Sequence, residues 1–162
     1  ARQLQHAGAD CVMLCANTLH MIANSLEKRI ELPLISVVEE TAKKTKSHGL
    51  KSVGLLGTKY TMEADFYPKA FEEKGVRCIL PSKKEINRLH EIILDELTKG
   101  IVDKESKKEI MKIVEAFEDR GAEGIVLGCT ELPMILQADD TILKLFDTLE
   151  IHSEAAVDFA LK

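Results

Sequence analysis

The sequence has 162 residues, which is enough for one domain or for two small ones with proper cores. Hydrophobic residues make up 45% of it and charged residues 30%, as is ordinary for a soluble α/β protein. Its net charge is −5 and its basic residues are interspersed with acidic ones, so it offers no basic face for nucleic acid. No apolar run approaches the ~20 residues needed to cross a bilayer, and no signal peptide is recognised, so we expect a cytoplasmic protein without a membrane partner.

Apolar periodicity and turn residues predict strands that alternate with helices along the chain. In chain order, the predicted elements are a helix over 1–7, a strand over 11–14, a helix over 17–29, a strand over 34–35, a helix over 37–47, a strand over 53–56, a helix over 58–74, a strand over 76–80, helices over 84–98 and 104–120, strands over 125–127 and 143–146, and a helix over 151–161. Pro68 should restart or kink the helix in which it falls. Such alternation predicts parallel sheets with right-handed crossovers.

The chain contains an internal repeat, because residues 8–19 (GADCVMLCANTL) line up with residues 121–132 (GAEGIVLGCTEL). Two similar units predict an α/β protein of two pseudo-symmetric lobes, each a parallel sheet flanked by helices. We expect residues 1–48 together with 148–162 to form the first lobe, and residues 49–147 the second. The first lobe has fewer predicted strands than the second, so we expect it to be incomplete and to lack an opening strand–helix–strand–helix segment.

The second unit of the repeat places a thiol where ligands commonly bind. Its strand, 125–127, stops at Gly128 and turns toward a helix, so Cys129 is the first side chain beyond the carboxyl end of a buried strand. Ligands of open parallel sheets bind at this edge. Cys129 is therefore a candidate acid, base or nucleophile.

The cysteines show no pattern typical of a metal site. The four are Cys11, Cys15, Cys78 and Cys129, and none belongs to a Cys-x-x-Cys or Cys/His zinc pattern, so we expect no metal. Cys11 and Cys78 fall in apolar strands, where we expect buried thiols. Free thiols favour a reducing cytoplasm.

Three short motifs stand out in the sequence: Cys15-Ala16-Asn17-Thr18-Leu19-His20, the turn Gly57-Thr58-Lys59-Tyr60-Thr61 and the block Gly128-Cys129-Thr130-Glu131-Leu132-Pro133. Together with the closing segment 146–152, they resemble the corresponding motifs of the aspartate/glutamate racemases. The resemblance implies a two-lobed racemase that works without pyridoxal phosphate or another cofactor. It would interconvert the L and D forms of an acidic amino acid, aspartate or glutamate, and act as a homodimer. The family also carries an N-terminal portion, absent from this sequence, that contributes to the substrate pocket.

The resemblance also implies roles for individual residues. In such racemases one cysteine thiolate removes the α-proton, and a thiol on the opposite face returns a proton to the carbanion. Residue by residue, Cys129 and Cys15 would be catalytic. The implied substrate contacts are Asn17, Thr18, Thr58, Thr61, Thr130, Glu131 and His152. All of these contact residues except Thr130 also have a plain structural interpretation, because such side chains commonly cap helix ends or place a charge there.

One position departs from the family pattern. In the repeat, Cys129 lies opposite Ala16, and Cys15 lies opposite Gly128. A shift of one residue along a strand turns a side chain to the other face of the sheet. Two interpretations follow: Cys15 faces the cleft and completes a pair of thiols, or it faces the core of the first lobe and Ala16 occupies the first acid/base position.

Two other functions are compatible with the same residues. Cys129 is a possible nucleophile of a thiol hydrolase, with His152 or His20 as its base. A non-catalytic remnant or assembly module is the other possibility, since an incomplete first lobe leaves the pocket without a wall. The remnant lobe would also have an open sheet edge, which again favours a homodimer.

Overall fold

Two parallel sheets organise the protein, and the computed structural model describes all of residues 1–162. The smaller sheet pairs β1 with β2, and the larger has the order β4-β3-β5-β6. The strands are Val12–Met13 (β1), Leu34–Ile35 (β2), Ser52–Gly57 (β3), Arg77–Ile79 (β4), Gly124–Gly128 (β5) and Lys144–Asp147 (β6). All pairings are parallel. The predicted α/β class with two parallel sheets flanked by helices is therefore confirmed.

Helices connect the strands, and short tight turns complete several of the connections. The α-helices are Arg2–His6 (α1), Ala23–Glu27 (α2), Val37–Ser47 (α3), Lys59–Glu63 (α4), Phe66–Glu73 (α5), Lys83–Glu91 (α6), Lys104–Asp119 (α7) and Thr148–Ala160 (α8). A 3-10 segment, Asn17–Ile22, runs directly into α2, and α6 continues through a π turn, Ile92–Glu96, and a 3-10 turn, Leu97–Lys99. Two further 3-10 turns are Leu132–Met134 and Ala138–Asp140. No helix combines the length and apolar composition that crossing a bilayer requires.

Some details differ from the predicted elements. The predicted helix over 58–74 is interrupted at Ala64, which is extended, and Pro68 lies in the first turn of α5, where its missing N–H leaves no helical bond unmade. The last helix begins at Thr148 because the Asp147 side chain caps it, accepting backbone N–H bonds from the first turn. Cys11 and Cys78 are only half-buried.

One continuous core packs around the larger sheet. Its central strands β3 and β5 are buried along their whole length. The same core includes Val37, Val38 and Ala42 of α3 and Ile151 of α8, so these two helices are packed into the larger sheet's core. Helix α8 also packs against α3 and β2. The elements around the smaller sheet are thereby fixed against the larger one.

Two glycines allow the ends of β3 and β5 to lie side by side. Gly57 is opposite Gly128 in the parallel register. A Cβ on Gly128 would lie 2.8 Å from the Leu56 carbonyl oxygen, and one on Gly57 would lie 3.0 Å from the Gly128 carbonyl oxygen. Only glycine fits such a close approach. Thr58 and Cys129, which follow these glycines, are therefore brought to the same edge of the sheet.

Candidate active site

The loop after β1 meets the turn after β3 through three threonines, which we call the hydroxyl cluster. Thr18 Oγ1 lies 3.2 Å from Thr58 Oγ1 and 3.1 Å from Thr61 Oγ1, and the last two oxygens are 3.1 Å apart. Thr58 also accepts the Thr61 backbone N–H and so caps α4. Three adjoining hydroxyls can satisfy one another, or can turn their hydrogens toward an anion such as a carboxylate.

Asn17 is buried beside this cluster and is fixed from two sides. Its Nδ2 donates to Thr148 Oγ1 at 3.0 Å, and its Oδ1 accepts from the hydroxyl of Tyr67. Thr148 Oγ1 in turn donates to the Leu127 carbonyl oxygen at 2.8 Å. Asn17 does not cap the 3-10 segment, since no side chain caps that segment. Its second amide hydrogen remains available to a ligand.

Cys129 forms a hydrogen-bonded pair with a carboxylate. Its buried Sγ donates to Glu131 Oε2 at 2.9 Å, and Thr130 Oγ1 donates to the same oxygen at 2.8 Å. Burial, reinforced by the adjacent carboxylate, raises the pKa of the Cys129 thiol to about 12. Burial alone would raise the pKa of Glu131, but the bonds from Cys129 and Thr130 outweigh it and lower that pKa. The resting pair is thus a protonated thiol and an ionised carboxylate.

Cys15 is exposed, so the interpretation that it faces the core of the first lobe is wrong. It lines a cavity of about 110 Å³, which we call the site cavity. Other residues that line the site cavity include Ala16, Asn17, Thr130, Thr148 and His152. Because Thr130 shares the carboxylate of Glu131 with Cys129, the site cavity adjoins the Cys129–Glu131 pair.

The two histidines near the site are held by backbone groups. His152 Nε2 donates to the Ile35 carbonyl oxygen at 2.8 Å, and Asp147, not His152, caps α8. His20 Nδ1 donates to the Ala16 carbonyl oxygen, and its Nε2 accepts the Val37 N–H, each at 3.2 Å. Burial lowers the pKa of His20, which is therefore neutral with both nitrogens engaged. Since the bonding partner of Cys129 is a carboxylate, a thiol–histidine hydrolase is not favoured.

The nine predicted site residues fall into three groups: three form the hydroxyl cluster, two are the Cys129–Glu131 pair, and Cys15, Asn17, Thr130 and His152 line the site cavity. Sequence reasoning missed two supporting residues. Tyr67 carries no signal in the sequence, because a buried tyrosine in an amphipathic helix is indistinguishable there from a core aromatic residue. Thr148 belongs to the closing segment and was not assigned a role. No three metal-ligating side chains converge. A cavity of about 520 Å³ between α2, α3 and α5 is lined by none of the nine.

Comparisons with known proteins identify the family of the chain. A model of the Asp/Glu/hydantoin racemase family matches residues 1–156. A glutamate racemase from Persephonella marina is 26% identical over 157 residues, which cover 93% of this chain and 56% of that protein. The chain spans about half the length of the curated glutamate racemases it matches.

Two solved structures are close in fold as well as in sequence. A candidate Asp/Glu racemase from Yersinia pestis superposes with a TM-score of 0.93 at 37% identity, covering 99% of this chain and 70% of that one. An aspartate racemase homologue from Pyrococcus horikoshii OT3 gives a TM-score of 0.90 at 36% identity, covering 99% and 71%. With a family match over nearly its whole length and these two neighbours, the chain belongs to the Asp/Glu/hydantoin racemase family.

Proposed function

We propose that the chain carries the acid/base machinery of a cofactor-independent racemase that interconverts the L and D forms of aspartate or glutamate. The observation that carries the proposal is the Cys129 thiol hydrogen-bonded to the Glu131 carboxylate, beside a cavity lined by Cys15. The names of the similar proteins, glutamate racemase and aspartate racemase homologue, support an acidic amino acid as the substrate.

The proposed reaction moves one proton onto a cysteine and another off a cysteine. In one direction, the Cys15 thiolate removes the α-proton and Cys129 delivers its own proton to the opposite face of the planar carbanion. The raised pKa of Cys129 suits it to this donor role, because the thiol stays protonated until the carbanion forms. In the reverse direction the Cys129 thiolate left by this step removes the α-proton of the other enantiomer, and the Cys15 thiol returns a proton to the opposite face.

The proposed substrate contacts follow from the groups that are available. The hydroxyl cluster of Thr18, Thr58 and Thr61 binds the α-carboxylate, since its hydrogens can turn outward together. Thr130, Asn17 and His152 contact the remainder of the substrate from the walls of the site cavity. Glu131 orients the thiol and faces the substrate ammonium group, where its negative charge is favourable.

The test is exchange of the substrate α-hydrogen in heavy water. Nuclear magnetic resonance of L-aspartate and L-glutamate should show α-deuterium in the presence of the protein, without hydrolysis products. Chiral chromatography should show the opposite enantiomer accumulating, and Cys129→Ser should slow its formation by about a hundredfold or more, since a hydroxyl is a much weaker acid than a thiol. An unchanged rate of enantiomer formation in Cys129→Ser, or hydrolysis instead of exchange, would overturn the proposal.

We further propose that the enzyme is a homodimer of the reducing cytoplasm. All four cysteines are free, as such a compartment requires. The smaller sheet has only two short strands, and sheets of this size generally gain stability from a neighbour. Light scattering that returns the mass of a single chain at micromolar concentration would exclude the dimer.

A further inference from the structure

A buried polar network connects four segments beneath the candidate active site. It consists of Tyr67 on α5, Asn17 in the loop after β1, Thr148 at the start of α8, and the carbonyl oxygen of Leu127 in β5. Tyr67 and Thr148 have no solvent exposure, and Asn17 is almost fully buried. The network crosses from the smaller sheet to the larger one, so it is an internal connection between the two.

The hydroxyl of Tyr67 is an unusual group for its surroundings. The ring stacks on Phe71, with centroids 5.9 Å apart, and lies 5.4 Å from the ring of Phe66. A phenylalanine would fill this apolar space without the cost of desolvating a hydroxyl. The hydroxyl is also near Thr41, and burial raises the Tyr67 pKa, so the phenol stays protonated and remains a donor. Its donated bond goes to Asn17 Oδ1.

Asn17 connects the two cysteine-bearing segments. Along the chain it lies two residues after Cys15, and through Thr148 it is joined to Leu127, two residues before Cys129. With Oδ1 held by Tyr67 and Nδ2 held by Thr148, the amide can neither rotate nor exchange its two ends without losing both bonds.

We propose that Tyr67 and Thr148 are positioning residues which, through Asn17, hold the Cys15 loop and the Cys129 strand end in one fixed relation. Neither touches the reacting atoms. The catalytic consequence rests on the proposed racemase function, whereas the positioning itself does not. Two-sided proton transfer needs two thiols on opposite faces of one carbon, so a small loss of alignment should slow turnover more than it weakens substrate binding.

The chain offers a closely matched pair of variants. It contains two tyrosines, and Tyr60 is largely exposed, with its ring edge-on to His90. Tyr67→Phe removes the donor to Asn17, and Tyr60→Phe makes the same chemical change outside the network. Thr148→Val keeps a similar side-chain volume but removes the hydroxyl that joins Asn17 to the Leu127 carbonyl oxygen. Thr148→Ser retains that hydroxyl.

Thiol labelling gives a readout that does not require activity. Burial raises the pKa of Cys78, as of Cys129, to about 12, so Cys78 is an internal reference for general loosening. Site-resolved iodoacetamide labelling, followed by mass spectrometry, should show Cys129 reacting about threefold faster or more in Tyr67→Phe and Thr148→Val, with Cys78 unchanged. Tyr60→Phe and Thr148→Ser should react like the original protein. In a protein that already carries Asn17→Ala, adding Tyr67→Phe should cause no further increase in the labelling rate of Cys129.

The outcomes separate the two proposals. An unchanged Cys129 rate in Tyr67→Phe, or equal acceleration of Cys78 and Cys129, would overturn positioning, since the second result means general destabilisation. If the original protein exchanges α-hydrogens, Tyr67→Phe should lower kcat about tenfold with little change in KM, and a change confined to KM would count against positioning. If the original protein exchanges none, the racemase proposal fails while the labelling result still decides the positioning.

Discussion

At the scale of single residues, the Cys129–Glu131 pair sets the direction in which a proton moves most easily. A thiol that donates to a carboxylate is held protonated, and the negative charge of Glu131 adds to the effect of burial on its pKa. Cys129 is therefore a ready acid, and it becomes a base only after it has given its proton to the carbanion. Cys15, which is exposed and lacks a hydrogen bond to a carboxylate, stands in a different environment. We infer that the two faces of the reaction are chemically unequal.

Replacing Glu131 by glutamine tests this division of roles. Without the negative charge, the pKa of Cys129 should fall but stay above that of an ordinary thiol, because burial remains. The pH profile of Cys129 labelling should therefore move toward lower pH, while racemisation slows about a hundredfold because the thiol loses the carboxylate that orients it. Glu118→Gln, an exposed change on α7, is the control. A profile that moves toward higher pH would contradict the role given to Glu131.

At the scale of elements, His20 joins the 3-10 segment to the beginning of α3. Its Nε2 accepts the N–H of Val37, the first residue of α3, and so satisfies one of the free donors at that helix end. A protonated His20 cannot accept this bond, and its charge would lie at the positive end of the helix dipole and beside the buried His152 ring, 6.2 Å away between centroids. The neutral form is therefore favoured in the folded protein.

This arrangement predicts a dependence of stability on pH. Burial lowers the folded-state pKa of His20, so between that pKa and the ordinary histidine value the unfolded chain binds more protons. The stability that neutral His20 contributes is fully present above the ordinary histidine pKa. It is lost as the pH falls below that pKa toward the lowered folded-state pKa. The free energy of unfolding, measured with urea, should therefore fall more steeply from pH 7 to pH 5 than in His20→Gln. At pH 7 the His20→Gln substitution should lower the free energy of unfolding by about 1 kcal/mol, because glutamine accepts the Val37 N–H less well than the imidazole does.

His48→Gln, an exposed change at the end of α3, serves as the reference for this experiment. Should His20→Gln retain the full slope, protonation of His20 does not oppose folding.

The sequence was informative about elements and motifs, and less so about their connections. The repeat around Cys129 predicted two parallel sheets, and the glycines before Thr58 and Cys129 predicted strand-end turns. The sequence leaves open which way Cys15 faces, since a strand as short as β1 gives too few alternating residues to fix the register. The contacts of Asn17 with Tyr67 and Thr148 join residues far apart in the chain, so no local pattern could predict them.

At the scale of the whole molecule, helices beside the smaller sheet share the core of the larger sheet. Val38 of α3 and Ile151 of α8 belong to the same buried cluster as Leu55 of β3. We propose that the division into residues 1–48 with 148–162 and residues 49–147 describes two sheets, and that the two parts unfold together. Separating them would expose the apolar side of α3 to water.

Urea unfolding should therefore show one transition. The chain has no tryptophan, so fluorescence of its two tyrosines reports mainly on α4 and α5, while far-ultraviolet circular dichroism reports on all helices. We expect the two curves to coincide. Val38→Ala should lower both midpoints equally, at a cost of about 2 kcal/mol for the lost packing. Two separated transitions would mean that the lobes fold independently.

The pairing of Gly57 with Gly128 has a consequence for the order of events on the ribosome. These neighbours in space are separated in the chain by all of residues 58–127, so β3 emerges with one edge unpaired and waits for β5. Such distant parallel pairing is slow to form and leaves strand edges exposed meanwhile. Thr148, which ties β5 to Asn17, emerges later still. The early helices can therefore form well before this sheet edge is complete, and the proposed binding edge is among the last parts of the fold to be finished.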